Sequence, residues 1–241
     1  MLKFIGSGSA FNTKLGNNSA YFKNGNEMLL IDCGSNIFHR IKESNLLDGV
    51  KHIHVLITHT HADHVGSLAD TILYSFFCHN EFAKSKVTVY SMESTGIREV
   101  LKLNGAVENL HFDFVPIKHG NIISIKGLDL SITNVYETNH VKELKSFGYE
   151  LNIKNKKIFY SGDTSDLHHD VLIGINNDIL DYIFTDTCKA DYEGNVHLSL
   201  RKLTELIAPE LRSKVWCMHL DETFDRKEAE ELCLNVVINE S

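Results

Sequence analysis

The run "HVLITHTHADH", residues 54–64, constrains this chain more than any other feature. Read as geometry, it is a buried strand, a tight turn and a helix opening near Ala62 or Asp63 and running to about 77. His59 and His61 then point one way from the turn, while Asp63 and His64 point to a neighbouring position. Imidazole and carboxylate are ordinary ligands for Zn²⁺, Mn²⁺ or Fe, and a catalytic site takes three protein ligands and keeps a place for water. Four candidate ligands in six positions imply more than one metal, or further ligands from elsewhere.

The rest of the chain has the order of a layered α/β protein. Short β-branched or aromatic runs at 2–5, 19–22, 27–32, 52–58 and 86–90 alternate with helical patterns at 36–44, 63–77 and 94–103. The second half repeats the scheme, with strands near 111–117, 129–136, 147–153, 157–161, 180–185 and 214–218 and helices near 197–208 and 225–234. Two such halves predict two sheets sandwiched between helices, an αββα arrangement. No linker composition divides residues 1–241, so one domain is expected.

Composition excludes several classes. No apolar stretch reaches the roughly 18 residues of a membrane span, and the N-terminus lacks a signal peptide's apolar region, so a cytoplasmic protein is expected. The five cysteines are spread singly, with no CxxC pair, against both a disulfide framework and a thiolate zinc site. With 24 basic against 32 acidic residues, the net charge of −8 disfavours a long nucleic-acid partner. A small anion drawn to a metal site remains compatible.

Further polar residues stand just after apolar strands: Asp32, Asp163, Asp186 and His219. Strand C-terminal ends are where layered α/β folds assemble sites. Adding His140, Asp163 and His219 to the motif gives five histidines and two aspartates, enough for two metals sharing a carboxylate. His39, His52, His54, His79, His111, His119, His168 and His169 lie outside the pattern and read as surface or packing residues.

The HxHxDH motif, followed by separate His, Asp and His positions, resembles the metallo-β-lactamase superfamily along essentially the whole chain. The resemblance implies a four-layer αββα sandwich with two divalent cations, Zn²⁺ first and Mn²⁺ as the alternative. It assigns His59, His61 and His140 to one cation and Asp63, His64 and His219 to the other. Asp163 and a hydroxide would bridge the two, with Asp63 also counted among the catalytic residues.

Within that superfamily, "IFTDTCKADYEGNVHLSL" resembles the tRNA 3′-processing ribonuclease branch, in which an acidic residue and a histidine match Asp186 and His197. His197 would protonate the leaving oxygen of a phosphodiester, and Asp186 would orient it. The bland reading has Asp186 end a strand while His197 or Asn195 caps the next helix. The loop "FIGSGSAFNTKLGNNSAYF" also resembles that branch, and Ser7, Gly8, Ser9, Asn18 and Ser19 are its candidate substrate contacts.

The ribonucleases carry a long arm between the ligands equivalent to His140 and Asp163. Here 23 positions separate the two, enough for a hairpin and no arm. The compact form, with "GSGSAF", "NNSAYF", "THTHADH" and "SGDT", is similar to the phage and bacterial anti-Pycsar family of cyclic nucleotide phosphodiesterases. That resemblance implies hydrolysis of 3′,5′-cyclic mononucleotides such as cCMP, cUMP, cAMP and cGMP, in the host cytoplasm if the protein is phage-encoded. It also implies a homodimer, with residues 66–120 closing the neighbouring pocket and "TILYSFFCHNEF" as a candidate contact surface. A tRNA 3′ endonuclease and a protein that sequesters nucleotides without hydrolysing them are the alternatives.

Overall fold

The computed structural model describes residues 1–78 and 86–240. Six strands form the first sheet: β1 (Lys3–Gly6), β2 (Ser19–Asn24), β3 (Glu27–Ile31), β4 (His52–Leu56), β5 (Lys86–Met92) and β6 (Asp113–Ile117), side by side in chain order. The first three pair antiparallel, and β3 to β6 run parallel. The second sheet holds β7 (Ile123–Ile125), β8 (Leu130–Glu137), β9 (Phe147–Ile153), β10 (Lys156–Tyr160), β11 (Tyr182–Asp186), β12 (Val215–Met218) and β13 (Asn235–Val236), again in chain order. Here β7 to β10 are antiparallel and β10 to β13 parallel.

Strands covered on both faces need apolar residues at every position, and β3 shows why. Its Leu29 and Ile31 pack with Leu130, Tyr149, Leu151 and Tyr160 of the second sheet, forming the layer between the sheets. The alternate residues Met28 and Leu30 pack outward with Ile37 and Ile41 of α1 (Ile37–Glu43). On the far side, Phe159 and Ile183 pack against Val171 and Ile175 of α5 (His169–Asn176), Leu203 of α6 (Leu200–Leu206) and Ala229 of α7 (Arg226–Glu231). Three apolar layers between four structural ones make the expected αββα sandwich.

Two helical expectations are corrected. The helix predicted over 63–77 is two helices, α2 (Ala62–Val65) and α3 (Leu68–Phe77). Between them, Ser67 Oγ donates to Gly34 O at 2.5 Å, and a Cβ at Gly66 would lie 2.3 Å from Ser35 Oγ. The helix predicted over 197–208 starts at Leu200, because Ser199 Oγ caps it by accepting from Lys202 N. Neither Asn195 nor His197 is the cap, so the His197 ring is left for the site. The helix predicted over 94–103 is α4 (Ile97–Leu103), preceded by a 3-10 turn at Glu93–Thr95, and neither α5 nor the very short β7 and β13 were anticipated.

The interval between His140 and Asp163 is the β9–β10 hairpin, turned by Lys154 and Asn155, both at positive φ as a two-residue primed turn requires. Part of "TILYSFFCHNEF" lies outside the described residues; within them Phe77 is exposed and its ring meets Phe76 edge-on. Among the described residues no helix is long and apolar enough to cross a membrane.

Candidate metal centre

Parallel strands from both sheets end at one place. Asp32 follows β3, His59 to His64 follow β4, Asp163 follows β10, Asp186 is the last residue of β11, and His219 follows β12. His140 lies between β8 and β9, and His197 lies on the loop before α6. Asp32 and His219 both take left-handed backbone, φ 60° and 57°, which turns each side chain sharply from its strand. Such values are uncommon outside glycine, with Asp and His among the residues that tolerate them better.

Two groups of donors converge there. His59, His61, His140 and Asp163 form one, and Asp63, His64, Asp163 and His219 the other, each with its ligand atoms within 4.8 Å of one another. In the first, His61 Nδ1 is 3.1 Å from both His59 Nε2 and His140 Nε2. In the second, His64 Nε2 is 3.2 Å from Asp163 Oδ1 and 3.4 Å from Asp63 Oδ2, while His219 Nε2 is 3.3 Å from Asp63 Oδ2. Asp163 belongs to both groups.

The outer nitrogens are already committed. Asp32 accepts from Thr58 N at 2.9 Å, from Thr58 Oγ1 at 2.8 Å and from His64 Nδ1 at 2.8 Å. Since the Thr58 hydroxyl donates to Asp32, it accepts from His59 Nδ1, 3.0 Å away. His140 Nδ1 donates to Val196 O at 3.3 Å. With the proton on the outer nitrogen, each of these rings turns a lone pair inward, as the supporting shell of a metal site does.

The donors fit divalent cations. Ligands about 2.0–2.2 Å from a tetrahedral cation stand roughly 3.3 Å apart, close to the spacings found here. His64 Nε2 and Asp163 Oδ1 are buried, and although 3.2 Å apart they make, among the described residues, no hydrogen bond of sound angle with each other or with any other group. Without a cation these would be costly orphans. Without a cation, and against the opposing effect of burial, Asp163 and Asp186 push His219 up to about 10, and Asp163, Asp63 and Asp32 hold His64 well above the ordinary histidine value, so a cation would take the place of a proton on the inward nitrogen of each. Burial instead lowers His59 and His140 and keeps them neutral.

Beside the donors, His197 Nδ1 lies 2.7 Å from Asp186 Oδ2, which also accepts from Thr164 N at 3.0 Å. Burial opposes the charge on His197, but the Asp186 carboxylate outweighs it and raises the ring above the usual value. The other oxygen, Asp186 Oδ1, is 3.3 Å from His219 Nδ1.

A cleft of about 580 Å³ opens over this arrangement, lined by His61, Asp63, His140, Asp163, His197 and His219. Phe11 and Tyr192, 86% and 63% exposed, also line it. Of the loop residues expected to touch substrate, Ser9 alone reaches the cleft. Ser7 is buried; Ser19 Oγ donates to Asp32 O; Asn18 donates to Tyr160 Oη and accepts from His219 N. A Cβ at Gly8 would lie 2.8 Å from Asn12 O, so glycine is needed there for packing. Sequence reasoning did not give Asp32 or Thr58 their orienting role, nor the aromatic rim; for Asp32 its place after an apolar strand was the available signal.

Comparison with known proteins agrees with this geometry. A protein of Bacillus phage vB_BveM-Goe7 described as anti-Pycsar protein Apyc1 is 30% identical over 93% of this chain and 90% of its own. The cAMP/cGMP-dependent 3′,5′-cAMP/cGMP phosphodiesterase B of Dictyostelium discoideum is 28% identical, over 72% of this chain and 16% of that protein. The crystal structure of the metallo-β-lactamase fold protein YhfI of Bacillus subtilis superposes with a TM-score of 0.75 at 13% identity, covering 100% of this chain and 97% of that one. The fold is thus that of the metallo-β-lactamases, and the family model described as anti-Pycsar protein Apyc1 matches residues 1–240: the chain belongs to that family.

Proposed function

We propose that this protein is a dinuclear metal-dependent phosphodiesterase that hydrolyses 3′,5′-cyclic mononucleotides to nucleoside monophosphates. The observation that carries the reading is the sharing of Asp163 by two donor groups, with the His197–Asp186 pair beside them on the same cleft. Two Zn²⁺ or Mn²⁺ ions, held by His59, His61 and His140 and by Asp63, His64 and His219 with Asp163 between, would polarise the phosphoryl oxygens and acidify a water.

The chain's own residues supply the rest. Hydrolysis joins a water oxygen to phosphorus and breaks one phosphorus–ribose bond, so the departing ribose oxygen needs a proton. His197, held protonated by Asp186, donates it. Phe11 and Tyr192 offer faces on which a base can stack whatever its identity. The β9–β10 hairpin fills the interval where a tRNA-binding arm would be inserted, in keeping with a small substrate. The family's name supports a role against anti-phage signalling, exercised in the host cytoplasm, and a homodimer fits the exposed Phe77.

The test is product analysis after incubating Zn²⁺- or Mn²⁺-loaded protein with cCMP, cUMP, cAMP and cGMP, beside a precursor tRNA with a 3′ trailer. Chelator-sensitive formation of nucleoside monophosphates with intact tRNA is the expected result. Cleaved tRNA with untouched cyclic nucleotides, or stoichiometric binding without product, overturns it.

A further inference from the structure

The other end of the first sheet carries a separate convergence of ligand-type side chains, whose histidines read from the sequence as surface or packing residues. Glu27 opens β3, and His52 and His54 stand on one face of β4, with Glu27 opposite His52 in the parallel register. The two imidazole centroids lie 3.8 Å apart, with the rings tilted by 33°. His54 Nε2 is 3.0 Å from Glu27 Oε2, and one donor atom from each of the three residues lies within 4.8 Å of the others. His54 and His52 precede His59 by five and seven residues, about 16–23 Å of extended chain at roughly 3.3 Å per residue, so the cluster is separate from the centre described above.

We propose that Glu27, His52 and His54 form a second, independent site for a divalent transition metal, Zn²⁺ by preference. Two imidazoles and one carboxylate are an established zinc donor set that leaves a fourth position for water. Both rings are held from behind by β5: Thr88 Oγ1 is 2.9 Å from His52 Nε2, and Tyr90 Oη is 2.9 Å from His54 Nδ1. The Tyr90 hydroxyl both donates and accepts. It can therefore take a hydrogen bond from Nδ1–H when His54 Nε2 gives its lone pair to a cation: the neutral ring exchanges its Nε2 proton for one on Nδ1 through solvent, with no net proton lost. Such a hydroxyl behind a ligating histidine is the orienting partner that metal sites need.

Packing alone does not call for this arrangement. His54 is 3% exposed, at a position where β4 otherwise carries Ile53, Val55 and Leu56. The carboxylate also has a fitted recess: a Cβ at Gly127 would lie 2.0 Å from Glu27 Oε1, so glycine there leaves room for it. The charges beside the cluster, Lys86 and Asp113, neutralise each other at 2.9 Å.

The test counts metal. Full-length protein is stripped with chelator, reloaded with Zn²⁺, gel-filtered, and its zinc per chain measured by elemental analysis. The wild type should carry one zinc more than His52→Ala and than Glu27→Gln, with cyclic-nucleotide hydrolysis by both variants unchanged. His61→Ala, which disrupts the catalytic-side donors, should retain the zinc that His52→Ala loses. Circular dichroism establishes that each variant is folded, with His52→Asn as the replacement should His52→Ala not fold. Equal zinc content in wild type and both folded variants overturns the proposal, whatever the activity assay shows.

Discussion

The Asp186 carboxylate lies between two histidines: Oδ2 is 2.7 Å from His197 Nδ1, and Oδ1 is 3.3 Å from His219 Nδ1. One residue therefore touches both the proposed proton donor and the candidate metal-side cluster. His197→Ala should retain the bound metals and lose about 10²–10⁴-fold in kcat, the usual worth of a general acid. Asp186→Asn should lose both activity and about tenfold in metal affinity, since it also stands behind His219. Unchanged kcat in His197→Ala would remove the acid role.

Asp32 makes a prediction about stability and metal content together. It is buried and accepts three hydrogen bonds, from Thr58 N, Thr58 Oγ1 and His64 Nδ1. Asp32→Ala leaves these donors stranded and should destabilise the fold by about 3–5 kcal/mol, measured by denaturant titration. Asp32→Asn keeps the volume but presents an amide hydrogen to one donor, and should weaken metal binding about 10–100-fold.

Phe11 and Tyr192 test substrate contact without touching the core. Phe11→Ala or Tyr192→Ala should raise KM for each cyclic nucleotide about tenfold, the worth of one stacked base, with kcat and melting temperature little changed. Equal KM values in wild type and both variants would place the base elsewhere.

His52 and His54 give the chelated protein an acid sensitivity. Burial lowers both, each to about 4, whereas in the unfolded chain they titrate near 6.5. The unfolded state therefore binds more protons between these values, so stability is full above about pH 6.5 and declines as the pH falls toward 4. Urea titrations across this range in excess chelator should give a flatter profile for His54→Gln than for the wild type.

The parts of the site legible in the sequence are those fixed by strand ends. "HVLIT" followed by HTHADH offered four candidate donors by covalent proximity, and Asp163 and His219 stood out because each follows an apolar run; the fold brings them into the same candidate groups. Helix boundaries were less legible, since the break at Gly66–Ser67 depends on Ser35 and Gly34, which are distant in sequence. In the glycine-rich loop Ser7, Asn18 and Ser19 are polar yet buried, and burial of a polar side chain leaves no periodic trace. Phe11 and Tyr192 lie on loops, where neither the period of a helix nor that of a strand applies.

Four of the seven candidate donors follow β4 of the first sheet, His59, His61, Asp63 and His64, and the other three come from the second, His140, Asp163 and His219. A cation bound among them would act as a rivet through the sandwich, because no folding of one sheet alone assembles its ligands. By mass action its binding energy is then added to the stability of the whole molecule. A cell poor in such metals would hold less of this protein in its folded form, so abundance as well as catalysis would follow the metal supply.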